Sequence, residues 1–331
     1  MNADLVPETW VVTEGAAGME NQCLGLADRL PFPVRVFRSQ LKRPWRWLAP
    51  RFLGSVFAHA TKASNRLAPP WPTLLIACGR QSIPFSRAVR RASGGGTFTV
   101  QCQDPRIAPK HFDLVIPTEH DGLTGPNVFP IIGSPNRITP QRLAKARGQL
   151  AHLFEPLAAP RVAVLVGGAS RTHGTLDRAA ADRFGALLAQ IAPDHRLMVS
   201  TSRRTSPAAA AALQQHLAGT DSYVWDGSGE NPYLGLLAWA DAFVVTADSV
   251  NMICEAAATG RPVHVFPLPR GRRKAGLFQQ ALAERAIIRP FFGRIEQWRY
   301  VPLDETGRAV EHIRRLLDLP ADAPDMRHQG P

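Results

Sequence analysis

The chain has 331 residues, 45% hydrophobic and 20% charged, a globular composition too long for one ordinary core, so two domains are expected. Its net charge of +12 is uneven: residues 29–103 hold thirteen Lys or Arg and no Asp or Glu, leaving 26 basic against 27 acidic residues elsewhere. The absence of an apolar run near the ~18 residues of a spanning helix, of a basic-then-apolar leader and of any C-x-x-C pair among the four cysteines argues against membrane-spanning, secreted and zinc-ribbon classes; a cytoplasmic chain with buried, reduced thiols is the expectation.

β-rich apolar runs at 10–13, 34–37, 73–78, 97–102, 113–116 and 128–132 predict six strands. Helical spacing predicts helices at 19–30 and 82–91. The apolar set Phe52, Val56, Ala60, Ala63 and Leu67 predicts a further helix within 44–67, opened by Pro50. A helix at 140–156 leads out of this first domain. The pattern restarts at Pro160, with strands at 162–166, 196–200, 222–225, 242–245 and 263–266. Helices are expected at 176–191, 207–217, 232–240, 249–259, 274–286 and 306–317. Strand and helix alternate twice over, which predicts an α/β protein of two doubly wound, parallel-sheet, Rossmann-like domains facing each other across a cleft. Their bounds are 1–155 and 156–300, with 301–331 a terminal helix and tail that packs back on the first domain.

In such sheets the loops at the carboxyl ends of strands carry the site. Three loops of the second domain have anion-binding chemistry. After the strand ending at Val166 come Gly167, Gly168, Ala169, Ser170, Arg171 and Thr172, where glycine permits close backbone approach. After the next strand, Arg203 and Arg204 lie among five hydroxyl residues and suit a diphosphate. After 242–245 come Asp248, Ser249 and Asn251 at a helix start, with Glu255 further along, where a carboxylate can accept two ribose hydroxyls.

In the first domain, Glu14, Gly15, Gly18, Asn21 and Gln22 form the turn and helix start after the first strand. His120 sits between Glu119 and Asp121, an arrangement suited to a general base near neutral pH. Glu14, His120 and Asp121 are thus the catalytic candidates. Arg51, Lys62 and Arg66 share one flank of the predicted 44–67 helix, whose head carries Trp45, Trp47, Phe52, Leu53 and Phe57. That is the pattern of an interfacial helix on an anionic leaflet. Nothing resembles a nucleic-acid-binding motif, and neither His111 nor His173 has the carboxylate or cysteine spacing of a metal site.

The segments WVVTEGAAGMENQCLGLADRL, DLVIPTEHDGLTGPNV, VLVGGASRTHG, STSRRTSP, NPYLGLLAWADAFVVTADSVNMICEAAATGRPVHVF and WRYVPLDET resemble the mitochondrial-fission family named for the plant "elongated mitochondria" protein, over about residues 10–317. That family includes many bacterial members, and its plant members are implicated in recruiting a dynamin-related protein to mitochondria. It in turn looks distantly like the GT-B glycosyltransferases. This second resemblance implies that Glu255, in Glu255-Ala256-Ala257-Ala258-Thr259-Gly260-Arg261-Pro262-Val263, holds a ribose, and that Ser249 and its neighbours meet a diphosphate. Residues 15–18 match the glycine loop after the first strand; this chain has Met19 where many family members carry a histidine.

The expectation is a metal-independent GT-B-type glycosyltransferase that needs no cofactor. Its substrate would be a nucleoside-diphosphate sugar, bound by Gly168, Ser170, Arg171, Arg203, Arg204, Asp248, Ser249, Asn251 and Glu255, and its acceptor an envelope or membrane-associated molecule. Arg51, Lys62 and Arg66 would hold it peripherally on the inner face of a membrane. The alternatives are a non-catalytic membrane-associated adaptor that recruits a protein partner, and a sugar-nucleotide isomerase using the same phosphate loops.

Overall fold

The computed structural model describes residues 5–52, 54–170, 174–268 and 273–320. It divides into two compact units: residues up to Arg137 together with those from Glu305, and Ile138–Asp304.

The first unit runs β1 (Leu5–Thr13), α1 (Ala17–Ala27), β2 (Val34–Arg38), α2 (Trp45–Leu48), β3 (Trp71–Cys78), α3 (Ser82–Ala92), β4 (Phe98–Cys102) and β5 (Leu114–Ile116). All its strand pairs are parallel, in the order β2-β1-β3-β4-β5. Alternation along the strands builds a core on each face. Val11, Leu74 and Ile76 pack with Leu26 of α1 and with Ala309 and Ile313 near the chain's end. Trp10, Val12 and Leu75 pack with Phe85 and Val89 of α3. Gly25 is where α1 meets the backbone: a Cβ there would lie 2.4 Å from the Asn136 carbonyl oxygen.

Two predicted elements take other forms. The 44–67 helix is replaced by the four-residue α2 and a series of turns. Its apolar spacing is core packing: Phe52, Val56 and Leu67 enter the cluster around Trp10. Pro50 interrupts the backbone ladder. The segment's far end is tied instead to the chain at the end of β2, the Arg38 N–H donating to Asn65 Oδ1 (2.7 Å) and the Gln40 N–H to Ser64 Oγ (2.9 Å). Arg51, Lys62 and Arg66 are exposed, but they share no helix face; Leu53 lies outside the described residues. The sixth strand, 128–132, is reduced to isolated bridges, Val115 with Val128 and Thr118 with Ile131, because Pro130 has no N–H to continue a ladder.

The second unit begins with α4 (Pro140–Gln149) and α5 (Ala151–Phe154). It continues through β6 (Arg161–Val166), the small hairpin β7 (Ala169–Ser170) and β8 (Gly174–Thr175), α6 (Arg178–Ile191), β9 (Arg196–Thr201), α7 (Pro207–Leu217), β10 (Tyr223–Trp225), α8 (Tyr233–Trp239), β11 (Ala242–Thr246), α9 (Val250–Ala257), β12 (Val263–Phe266), α10 (Arg273–Glu284) and β13 (Ile288–Pro290). Its six-stranded parallel sheet has the order β10-β9-β6-β11-β12-β13. Numbered from β6 in chain order, and leaving out the hairpin, this is 3-2-1-4-5-6, the dinucleotide-fold order, whose ligand crevice opens between the first and fourth strands. Those are β6 and β11. Phe184, Leu188 and Leu213 of α6 and α7 cover one face over Val162, Val164 and Val199.

Helix α4 belongs to this unit, so the division falls at residue 137 and not near 155. The Trp239 indole N–H donates to the Arg147 carbonyl (3.0 Å), and the Arg147 guanidinium lies 4.0 Å from that ring's centroid. The chain then returns: α11 (Glu305–Leu316) is part of the first unit. Glu305 accepts the Ile132 N–H (2.7 Å) and Thr306 Oγ1 the Asn136 N–H (2.9 Å).

Candidate functional site

The crevice position of the second sheet is built from three loops. Register places Val166 beside Thr201, and Leu165 beside both Ser200 and Val245. The loops after β6, β9 and β11 therefore emerge side by side. Asp248 joins them. Its Oδ2 accepts the Gly168 N–H (2.8 Å) and meets Arg204 Nη2 (3.0 Å), and its Oδ1 accepts from the Thr246 hydroxyl (2.7 Å). Thr246 Oγ1 in turn accepts the Gly167 N–H (2.7 Å). Arg204 Nη1 donates to the Ala169 carbonyl (3.1 Å), and the Thr205 hydroxyl donates to the Gly167 carbonyl.

The two glycines are dictated by this closeness. A Cβ on Gly167 would lie 2.2 Å from either Asp248 carboxylate oxygen, and one on Gly168 would lie 1.9 Å from the Arg204 carbonyl oxygen. Asp248, predicted as a ligand group, is a buried crosslink between loops. It takes up the Gly168 N–H that the sequence pattern offers to a phosphate. Arg203 is exposed and pairs with no described residue, and Arg204 keeps 43% of its side chain exposed. Ser170 is half-buried in β7, and Arg171 lies outside the described residues.

Ser249 is the N-cap of α9, and its hydroxyl makes no capping bond. The first-turn amides that follow have no intrahelical acceptor and point a partial positive charge out of the helix start. Asn251 is half-buried in that turn. Glu255 lies six residues beyond Ser249, about 9 Å along the helix axis. It is buried and accepts the Tyr233 hydroxyl of α8 on Oε2. Burial raises its pKa to about 7, the Tyr233 bond opposing the shift. The same burial, with Glu255 beside it, pushes the Tyr233 phenol well above its ordinary value. Tyr233 and Thr246 were missed from sequence. Thr246 is at least adjacent to the polar turn, whereas nothing local marks Tyr233, 22 residues before Glu255.

The catalytic candidates of the first unit are not brought together. Thr13, Cys78, Cys102 and Ile116 form one row across the sheet. Glu14 and the turn after Ile116 thus stand three strand spacings, about 14 Å, apart. Both Glu14 carboxylate oxygens are taken by Gln81: Oε1 by its backbone N–H (3.0 Å) and Oε2 by its side-chain amide (2.7 Å). Gly15 holds φ +92°, Gly18 and Asn21 are half-buried in α1, and Gln22 is buried, accepting from Gln103 Nε2 (3.1 Å). At the sheet's edge the Thr118 hydroxyl sits between two groups, 3.1 Å from His120 Nε2 and donating to Asp121 Oδ2 (2.7 Å). His120 and Asp121 are thus linked through Thr118.

A family model described as Mitochondrial fission ELM1 matches residues 17–317. The chain belongs to that family. Its relatives include the mitochondrial fission protein ELM1 of Arabidopsis thaliana, 33% identical over 273 residues, which cover 74% of this chain and 64% of the plant protein. Another is the uncharacterized protein RP120 of Rickettsia prowazekii, 29% identical over 211 residues, covering 61% of this chain and 58% of that one. This ELM1-family chain thus spans less than two thirds of the length of either curated relative. Among solved structures, UDP-GlcNAc 2-epimerase of Methanocaldococcus jannaschii, in complex with UDP-GlcNAc and UDP, matches with a TM-score of 0.56 at 11% identity, covering 95% of this chain and all of that one. The fold of this ELM1-family chain is GT-B-like, two parallel α/β sheets of the kind the sequence predicts.

Proposed function

We propose that the second unit binds a nucleoside-diphosphate sugar and that the protein is a GT-B-type glycosyltransferase acting on a membrane-associated or envelope acceptor. The observation that carries this is the meeting of the β6, β9 and β11 loops on Asp248 at the sheet's switch point, with Glu255 two turns along the adjoining helix. The M. jannaschii neighbour, a protein of the same fold, holds UDP and UDP-GlcNAc in its crystal structure, which supports a ligand of that class. On this reading the α9 amides, Ser249 and Arg203 take the diphosphate, and Glu255 takes the ribose. The bond from the sugar's anomeric carbon to the diphosphate breaks, the acceptor oxygen bonds to that carbon, and the diphosphate leaves with its charge held by Arg203 and the helix start. His120, linked through Thr118 to Asp121, is a better base for the acceptor's proton than Glu14, whose carboxylate is committed to Gln81.

A thermal-shift panel of nucleotides and nucleotide sugars tests the reading, since a ligand that binds the folded state raises its melting temperature. At least one nucleoside diphosphate should stabilise the protein, and Arg203→Ala should weaken it about tenfold through loss of a charge-assisted hydrogen bond. No shift with any member of the panel rejects it. Donor turnover without acceptor would point instead to isomerisation.

The adaptor reading is favoured by one surface. Trp47 is 65% and Leu48 54% exposed, while Arg80 donates to the Arg46 and Trp47 carbonyls (2.8 and 2.9 Å) and pins this short helix. Arg43 and Arg51 flank the pair inside the acid-free stretch. Insertion of the two side chains into an anionic leaflet predicts that Trp47→Ala/Leu48→Ala lowers co-sedimentation with phosphatidylglycerol-containing vesicles at least about fivefold. Unchanged sedimentation would remove this surface from consideration.

A further inference from the structure

Helix α3 leaves the carboxyl edge of the first sheet and ends near its amino edge, away from Glu14 and His120. There its last turns and residues 109–111, ahead of β5, line a pocket of about 460 Å³. Arg87, Arg91, Lys110 and His111 converge on it, and Phe52 and Val56 form an apolar wall. Its Gly94–Gly95 rim is open, since a Cβ on either glycine would meet nothing within 4 Å.

Arg90 also lines the pocket, but Asp113 neutralises it, with contacts of 2.8 to 3.2 Å. Arg87, Arg91 and Lys110 have no carboxylate partner among the described residues. Arg91 is in the last turn of α3, where the helix dipole welcomes a cation, and Lys110 is exposed; Arg87, half-buried one turn earlier, has no such account. The cations press on one another. Burial and Arg91 lower the Arg87 pKa, and burial followed by Arg87, Lys110 and Arg90 lowers that of His111. A half-buried guanidinium such as Arg87, set among other cations, is ordinarily matched by an opposite charge.

We propose that this pocket binds a phosphorylated anion, a phosphate monoester or diphosphate, whose organic body rests on Phe52 and Val56. The guanidinium groups supply paired donors for phosphate oxygens. The site is separate from the proposed donor site of the second unit. Its phosphate can belong to a soluble molecule or to a lipid headgroup, and the chemistry is the same.

The test uses the full chain, with His111 as a local reporter in an NMR pH titration, assigned with His111→Asn. Pyrophosphate is the soluble probe. A bound anion offsets the repulsion from Arg87 and Lys110, so the His111 pKa should rise on saturation. Arg87→Gln/Arg91→Gln should abolish the rise and weaken pyrophosphate at this site at least about tenfold. Arg203→Gln, in the second unit, should leave it intact, so that failure of the donor reading and failure of this one are told apart. Arg35→Gln/Arg315→Gln removes equal charge from exposed positions elsewhere on the first unit and should also leave it intact. The second arm is co-sedimentation with phosphatidylcholine vesicles containing phosphatidic acid. Sedimentation lost with Arg87→Gln/Arg91→Gln assigns a lipid headgroup, and a His111 response without sedimentation assigns a soluble phosphate. Lys110→Gln, at an exposed position, repeats each arm should the double variant melt early. The proposal is overturned if His111 does not respond and sedimentation does not depend on these residues, or if Arg35→Gln/Arg315→Gln weakens binding equally.

Discussion

Replacing Asp248 by alanine is expected to destabilise the second unit by about 3–4 kcal/mol. The carboxylate is buried and accepts from the Gly168 N–H and the Thr246 hydroxyl. Alanine leaves both donors without their acceptor in a site closed to water, which costs roughly 1–3 kcal/mol each before relaxation. The Arg204 contact adds less, because that side chain is 43% exposed and its freed charge can turn to solvent. Relaxation has little room: Gly167 and Gly168 are packed so closely that their loop cannot collapse into the space without moving the Arg204 backbone. Asp248→Asn, which keeps one acceptor oxygen, should lose about half as much. Urea unfolding of the three proteins at pH 7 provides the measurement. An alanine variant within about 1 kcal/mol of the wild type would mean that Asp248 does not hold the loops together.

Asp248 also marks where sequence reasoning reaches its limit. The strands of both sheets, apart from the three-residue edge strand β13, were legible because Val, Ile, Leu and Phe cluster in short runs between glycines and prolines. The alternation with helices then left parallel sheets as the economical arrangement. That Asp248 lies at a strand's carboxyl end followed from the same pattern. Its role did not, because two of the three groups that claim its oxygens come from the loops after other strands, Gly168 lying 80 residues away. A polar turn looks identical in sequence whether its carboxylate faces a ligand or its own fold. Glu255 shows the same limit, its phenolic partner belonging to a different helix. The 44–67 error has another origin. Phe52, Val56 and Leu67 have helical spacing, yet each reaches the Trp10 cluster from non-helical backbone. The side chains of Ser64 and Asn65, which the apolar pattern ignores, accept the Gln40 and Arg38 N–H groups and tie the segment to the end of β2.

Glu255→Gln is expected to flatten the pH dependence of stability while impairing the proposed donor site. Burial raises the Glu255 pKa from 4.5 to about 7, so between those values the folded protein keeps a proton that the unfolded chain releases. The stability this group contributes is whole below about pH 4.5 and is lost as pH rises through about 7. By pH 8 the wild type carries a buried carboxylate, and the integrated loss is about 3 kcal/mol. Glutamine has no proton to lose and can still accept the Tyr233 hydroxyl. The variant should therefore gain on the wild type by about that amount between pH 5 and pH 8, whatever constant offset its amide group introduces. Parallel unfolding curves for the two proteins across this range would refute the buried-acid account. Binding should move the other way. A ribose that donates two hydroxyls favours the ionised acid, so donor binding near pH 7 should release a fraction of a proton, readable by calorimetry in buffers of different ionisation enthalpy. Glutamine offers one acceptor oxygen in place of two, and should weaken the donor about tenfold and abolish the proton release. Greater stability of Glu255→Gln at pH 8 together with weaker donor binding would mark Glu255 as a residue retained for the ligand and not for the fold.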